Sequence, residues 1–218
     1  LRNRDKLVQF ENEEATLPVL RGVPEIATLV PRVADSGETR GARWLLETYL
    51  PGRTMDVALG GDGLPSAGAT SAIFPLVRKW TIALARGTGT GKSDAGFFEP
   101  AFAEYRAIFG PRGAEEALIG RAAAALTRLE LPLSRAHGDF CRQNILLDGG
   151  RVSGVIDWEL SRAAEAPLYD LFTFLVNFHL FAGGGGKNFF VERFRRTFFE
   201  ENRYSRAARE LVLGCASA

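Results

Sequence analysis

Helix-spaced apolar positions and short β-prone runs succeed one another along the chain, predicting a protein that mixes helices with hairpins. In residues 9 to 20, Phe10, Leu17 and Leu20 recur at helical spacing and acidic residues fill the first turns, where the helix dipole favours them. This predicts a short helix limited or bent by Pro18. Ile26 to Val33 and Arg43 to Leu50 are apolar and β-prone, and they flank the polar Asp35-Ser36-Gly37-Glu38. That reads as a hairpin, ended by Pro51-Gly52. From Thr70 to Arg86, Ile73, Leu76, Trp80, Ile82 and Leu84 suit a buried helix, and helical patterns follow at Pro100 to Ile108 and Ala114 to Leu129.

Strand character returns at Ser134 to His137. Ile145 to Ile156 reads as a second hairpin with an Asp148-Gly149 turn signal. Beyond Pro167 the pattern is helical to the end, interrupted by Gly183 to Gly186, which is expected to be a flexible connection. No internal repeat is present.

A chain of 218 residues with 46% hydrophobic content and 16 phenylalanines can bury a substantial core, as one domain or as a large lobe with part of a second. Its 27 basic residues nearly cancel 26 acidic ones, which argues against nucleic acid or an anionic membrane as a partner. Leu168 to Ala182 is apolar but carries Asp170, Asn177 and His179, and is too short and too polar to span a membrane. No secretory signal pattern opens the chain. Cys141 and Cys215 are the only cysteines and form neither a disulfide framework nor a zinc site, so the expected setting is the reducing cytoplasm. The first residue is Leu1, which raises the expectation of a cut N-terminus.

The chemistry concentrates in His137-Gly138-Asp139-Phe140-Cys141-Arg142-Gln143-Asn144, followed after the second hairpin by Ile156-Asp157-Trp158. Folding that hairpin about Gly150-Arg151 sets residues whose numbers sum to about 301 opposite each other, bringing Asn144 and Asp157 to its open end. An amide oxygen and a carboxylate there suit Mg²⁺, which completes its shell with water and phosphates. Asp139, on the loop entering the same end, can accept the proton of an attacking hydroxyl.

This ordered set resembles the catalytic core shared by aminoglycoside phosphotransferases, choline kinases and their relatives: His-Gly-Asp, four residues, Asn, then two hydrophobic residues and Asp. The resemblance implies an α+β, protein-kinase-like fold. Residues 1–50 would be a partial nucleotide-binding lobe, a remnant of the β-rich N-terminal lobe, and residues 51–218 the helical catalytic and substrate lobe. It implies Asp139 as catalytic base, Asn144 and Asp157 as Mg²⁺ ligands, and ATP or GTP as phosphoryl donor. Trp44 to Gly52 is similar to the family's hinge strand, so Glu47, Thr48 and Tyr49 would line the base pocket through main-chain groups. Glu13 is similar to the helical glutamate that pairs with an ATP-orienting lysine. Lys6, seven residues earlier, sits too near the helix start for that part, and no room precedes it for the Gly-rich strand pair. Asp170 is similar to the aspartate that buttresses the catalytic loop.

Simpler roles are weighed for the remaining residues. His137 is expected to hold the loop by hydrogen bonds, Cys141 to be a passive thiol, and Trp158 and His179 to be packing residues. Arg142 is either a phosphate contact or an exposed loop residue. Gly87 to Ser93 imitates a P-loop, but Arg86 stands where its first glycine should be and a helix precedes it. A connector between helices near the substrate cleft is expected instead.

The leading reading is a Mg²⁺-dependent kinase acting on a hydroxyl of a small molecule. The rival is a catalytically silent binding or scaffold protein lacking the Gly-rich loop and lysine. His-Gly-Asp and Ile-Asp-Trp in place of the protein-kinase motifs argue against a protein substrate. Nothing in the variable helices identifies the acceptor or the oligomeric state.

Overall fold

The computed structural model describes residues 4–60, 65–180 and 189–218. Gly183 to Gly186 lie outside them. Helix α1 spans Arg4–Arg21 and carries Pro18 inside it, so the proline does not end the helix. Leu17 and Leu20 are fully buried on either side of Pro18, and their packing holds the last turn although Pro18 has no N–H to donate.

Ile26 and Val30 are buried, but they flank a single 3-10 turn at Ala27–Leu29 rather than forming a strand. The first hairpin pairs β1 (Val33–Thr39) with β2 (Ala42–Glu47). Its turn is Arg40-Gly41, with φ of 53° and 76°, the two positive angles of a tight two-residue turn. The predicted turn Asp35 to Glu38 instead lies within β1. Gly37 pairs with Trp44 there, and a β-carbon would come within 2.8 Å of the indole. The glycine makes room across the strands, which a turn signal imitates.

The rest of the chain is helical around two small antiparallel sheets. Strand β3 (Arg53–Thr54) leads into the short α2 (Met55–Ala58) and then α3 (Ala67–Gly87), capped by Ser66 accepting from the Ala69 N–H at 3.0 Å. Strand β4 (Gly89–Lys92) follows, so the P-loop imitation is an edge strand and not merely a connector. Helices α4 (Glu99–Phe109) and α5 (Ala114–Leu126) pair through Arg106 and Glu116 at 2.9 Å. Strands β5 (Pro132–Ala136), β6 (Ile145–Asp148), β7 (Arg151–Val155) and β8 (Arg162–Glu165) precede the closing helices α6 (Tyr169–Leu180), α7 (Phe189–Phe198) and α8 (Arg203–Ala216). The sheet orders are β3-β6-β7 and β4-β5-β8.

The second hairpin turns at Gly149-Gly150, with φ of 54° and 77°, one residue earlier than predicted. Residue numbers then sum to 299 beside the turn and, past an irregularity, to 300 at the open end, where Ile145 faces Val155. Asn144 therefore lies across from Ile156, whose N–H donates to the Asn144 carbonyl at 2.9 Å, and Asp157 is the next residue.

One core joins these parts. Leu17, Leu20, Ile26 and Val30 from before the hairpin pack in the same cluster as Trp80, Phe140, Trp158, Phe174 and Phe178. Trp80 stacks on Phe140 with centroids 6.1 Å apart, and Phe140 lies 5.8 Å from Phe174. Among the described residues, no helix is long and apolar enough to cross a membrane.

Candidate active site

Burial of its neighbours determines where Asp139 points. His137 is 0% and Phe140 1% exposed, so the loop is anchored on both sides while Asp139 stays half-buried between them. Gly138 has φ 89°, and a β-carbon on it would lie 2.0 Å from the Leu160 carbonyl oxygen, so only glycine fits. Asp170, at the start of α6, accepts the His137 N–H at 2.7 Å and the Gly138 N–H at 3.0 Å. Burial raises the Asp170 carboxyl to about 6, and those two hydrogen bonds oppose the rise.

The His137 ring bridges the loop to the segment that follows β7. Its Nε2 meets the Ile156 carbonyl at 2.9 Å, and its Nδ1 accepts the Asp139 N–H at 3.2 Å. Burial lowers its pKa to about 4, so the ring is neutral near pH 7 and serves as a strut, not a proton carrier. Burial also pushes the Cys141 thiol up, with the Asp139 and Asp157 carboxylates as further causes, which keeps it protonated. Both carboxylates therefore act on one spot.

Asn144 Nδ2 donates to the Asp139 carbonyl at 3.0 Å and to Asp139 Oδ2 at 3.2 Å. With the amide nitrogen turned to Asp139, the Asn144 side-chain oxygen is directed elsewhere. Asp157 has φ 66°, a left-handed conformation rare for a residue with a β-carbon and characteristic of functional sites. The Trp158 N–H that follows it donates to Glu13 Oε1 at 2.8 Å, and the buried Trp158 indole donates to the Val155 carbonyl at 3.0 Å.

Three carboxylates gather here. Burial raises Glu13, with Asp157 and Glu159 adding to the rise against the Trp158 hydrogen bond. Glu47, at the end of β2, is raised to about 7 by burial, then by Glu13 and Asp157. Such a concentration of negative charge suits a hard divalent cation, and an amide oxygen and a carboxylate, as Asn144 and Asp157 offer, are donor types that Mg²⁺ takes. Among the described residues there is no group of three or more His, Cys, Asp or Glu able to hold a metal.

Residues 47 to 49, expected as the hinge, differ in what they offer. The Thr48 N–H donates to the Arg32 carbonyl at 2.9 Å, and its hydroxyl accepts the Arg32 N–H at 3.0 Å, so that N–H is already engaged. The Tyr49 side chain is 84% exposed. Arg142 departs from the expectation of an exposed loop residue: it is 2% exposed, and its buried Nη1 has no hydrogen-bond partner. Its backbone carbonyl accepts the Met55 N–H, which ties the loop inward and carries the side chain with it. Lys6 lies on α1 itself, two turns from Glu13. His179 in α6 pairs through Nδ1 with the Thr197 hydroxyl and stacks on Tyr204 at 4.0 Å, a packing role as expected.

Sequence reasoning missed Asn12, Thr16, Arg135 and Ser161. Asn12 Nδ2 donates to the carbonyls of Glu159 and Ser161, and Arg135 Nη1 donates to the hydroxyls of Thr16 and Ser161. Only the adjacency of Asn12 to Glu13 could have signalled this.

No curated protein matches the chain. Among solved structures, aminoglycoside phosphotransferase APH(3'')-Id from Streptomyces rimosus, in complex with ADP and streptomycin, is similar with a TM-score of 0.56 at 18% identity, over 95% of this chain and 76% of that one. The GDP complex of a mutant aminoglycoside 2'-phosphotransferase-IIIa is similar with a TM-score of 0.56 at 14% identity, over 98% of this chain and 72% of that one. A thermostable mutant of APH(4)-Ia with ADP and hygromycin B gives 0.52 at 18% identity, over 94% and 72%. At these identities the likeness establishes the shared kinase-like fold. The model of the phosphotransferase enzyme family matches residues 2–211, nearly the whole chain, and on that match the protein belongs to the phosphotransferase enzyme family.

Proposed function

We propose that this protein is a small-molecule kinase that moves the γ-phosphate of ATP or GTP to a hydroxyl of its acceptor. The observation that carries the reading is the Asp139-Asn144 hydrogen bond at 3.2 Å, with Asn144 held across from Ile156 and so beside the strained Asp157. In this reading the base is held against one metal donor, and the second metal donor follows directly on Ile156, which faces the first.

Asp139 would accept the acceptor's hydroxyl proton as that oxygen attacks, oriented by the Asn144 amide. Asn144 and Asp157 would hold Mg²⁺, which supplies neutralisation of the charge on the transferring phosphoryl group. His137 and Asp170 hold the loop rigid around Asp139. The hinge at Glu47 to Tyr49 would receive the base, with the Thr48 N–H engaged by the Arg32 carbonyl. A boundary between two lobes near residue 50 is supported by β3, which already pairs with β6 in the catalytic half. The structural relatives whose complexes hold nucleotides and aminoglycosides support a nucleotide donor and a small hydroxylated acceptor. Folds host many substrates, so the antibiotic itself is not carried over.

A second reading, a silent binding protein, is favoured by one observation: Glu13 engages the Trp158 main chain where a lysine would be its usual partner. Calorimetry with ATP and with GTP, with and without Mg²⁺, decides between them. Binding that needs Mg²⁺ and disappears in Asp157→Ala supports the kinase; absence of any nucleotide binding supports the silent protein.

A further inference from the structure

We propose that Asn12 is a positioning residue that, with Glu13, clamps the backbone following Asp157 and so ties helix α1 to the metal-binding loop; for the metal part, this rests on the kinase reading above. Asp157 sits in a conformation that a residue with a β-carbon adopts only when its surroundings over-determine it. The preceding peptide is fixed inside the catalytic half by Asn144 on the Ile156 N–H and by His137 on the Ile156 carbonyl. The following segment is fixed from α1.

Three α1 residues within about one turn supply that hold. Glu13 accepts the Trp158 N–H at 2.8 Å. Asn12 uses one nitrogen to donate to the Glu159 carbonyl at 2.9 Å and the Ser161 carbonyl at 2.8 Å, so both amide hydrogens are employed. Thr16 shares Arg135 with the Ser161 hydroxyl, which donates to the Ala136 carbonyl at 2.9 Å at the end of β5. Donors and acceptors on one helix thus match those of residues 158 to 161.

The same helix also grips the β1-β2 hairpin. Arg43 of β2 pairs with Glu11 at 2.6 Å and with Glu14 at 2.9 Å. Helix α1 is therefore a rigid link between the hairpin that ends at the hinge and the loop that presents Asp157. Asn12 makes that link specific, because its two bonds reach beyond the residue next to Asp157 and resist rotation of the loop about the single Glu13 contact. Outer partners that orient metal ligands typically change metal affinity by about 10- to 100-fold when removed.

The test compares the unaltered chain with Asn12→Ala and with Asn12→Asp, which keeps the shape of the side chain but removes both donors. Amide exchange is measured first in metal-free, nucleotide-free protein. Exchange at the Trp158 and Ser161 amides should rise about tenfold or more in both variants, as two lost hydrogen bonds require. The His137 and Gly138 amides, held by Asp170, should not change. The aspartate variant keeps the test decisive even where Asn12→Ala fails to fold. Equal exchange at Trp158 and Ser161 in Asn12→Asp, or an equal rise at all four amides, overturns the clamp whether or not nucleotide binds. The second readout is the Mg²⁺ concentration giving half-maximal ATP binding by calorimetry, expected to rise about tenfold in Asn12→Ala. An unchanged Mg²⁺ requirement overturns the link to the metal site, whereas failure of the unaltered chain to bind ATP sinks the kinase reading and leaves the exchange result to decide the clamp.

Discussion

The amide of Asn144 donates to the carboxylate of Asp139 at 3.2 Å, so the residue that would hold the metal also orients the residue that would take the proton. Separating the two roles is therefore a matter of which property each substitution removes. Asp139→Asn keeps the shape of the loop but not the base. We expect kcat to fall by about 10²- to 10⁴-fold while Mg²⁺-nucleotide affinity stays near that of the unaltered protein, read by steady-state kinetics beside calorimetry. A parallel loss of nucleotide binding would mean that Asp139 holds the metal instead.

Gly138 permits no side chain. Gly138→Ala places a methyl group 2.0 Å from the Leu160 carbonyl oxygen at a φ of 89°, so the catalytic loop must leave its position. The expected result is a stability loss of about 3 kcal/mol or more, visible as a lowered urea midpoint, together with loss of activity. A variant with the native midpoint would contradict this close approach of the loop to Leu160.

Asp170 serves two main-chain donors at once. Asp170→Ala leaves the His137 and Gly138 N–H groups unsatisfied beneath a buried loop. Each such group costs about 1 to 3 kcal/mol, so chemical denaturation should show a loss of about 2 to 6 kcal/mol, with Asp170→Asn recovering part of it through its remaining acceptor oxygen. Equal losses in the two variants would assign Asp170 a role in packing alone.

Glu47 makes stability depend on pH. Its folded pKa of about 7 lies above the ordinary 4.5, because burial and then Glu13 and Asp157 disfavour its charge. The folded protein therefore binds this proton more tightly than the unfolded chain. The associated stability is fully present below pH 4.5 and is lost as the pH rises through 7. In metal-free buffer, Glu47→Gln should melt about 2 °C or more above the unaltered protein at about pH 8, with the gap closing toward about pH 5. A gap that widens on acidification reverses the sign and refutes this account.

Arg142 is buried with its Nη1 unpartnered, an arrangement that a hydrophobic side chain of similar length can replace without loss. Arg142→Met should be as stable as the parent or more so in thermal melts, and should bind Mg²⁺-nucleotide equally well. A large fall in nucleotide affinity alone would assign Arg142 the phosphate contact.

The sequence by itself determined the candidate chemistry and most of the elements. Helical periodicity located α3, α4 and α5 to within a few residues, because apolar positions recur at helical spacing in consecutive turns of each. The spacing from Asp139 to Asn144 to Asp157 identified the candidate site, since a hairpin must return its ends to one place whatever its surroundings. The loop-holding role of His137 and the packing roles of Trp158 and His179 were also legible from their neighbours.

Only the tertiary structure decided how these parts register. The first hairpin turned at Arg40-Gly41 because Gly37 was needed beneath Trp44, a cross-strand fact that no local signal carries. The second shifted by one residue through its Gly149-Gly150 turn and an irregularity, placing Asn144 across from Ile156. Burial of Arg142 depended on the Met55 N–H drawing the loop inward. The hold of Asn12 and Glu13 on residues 158 to 161 joins positions about 145 apart in the chain, and the raised pKa of Glu47 comes from burial first and then from carboxylates outside its own strand. Local pattern records which face a residue buries; what meets it there is decided by chain segments that become neighbours only on folding.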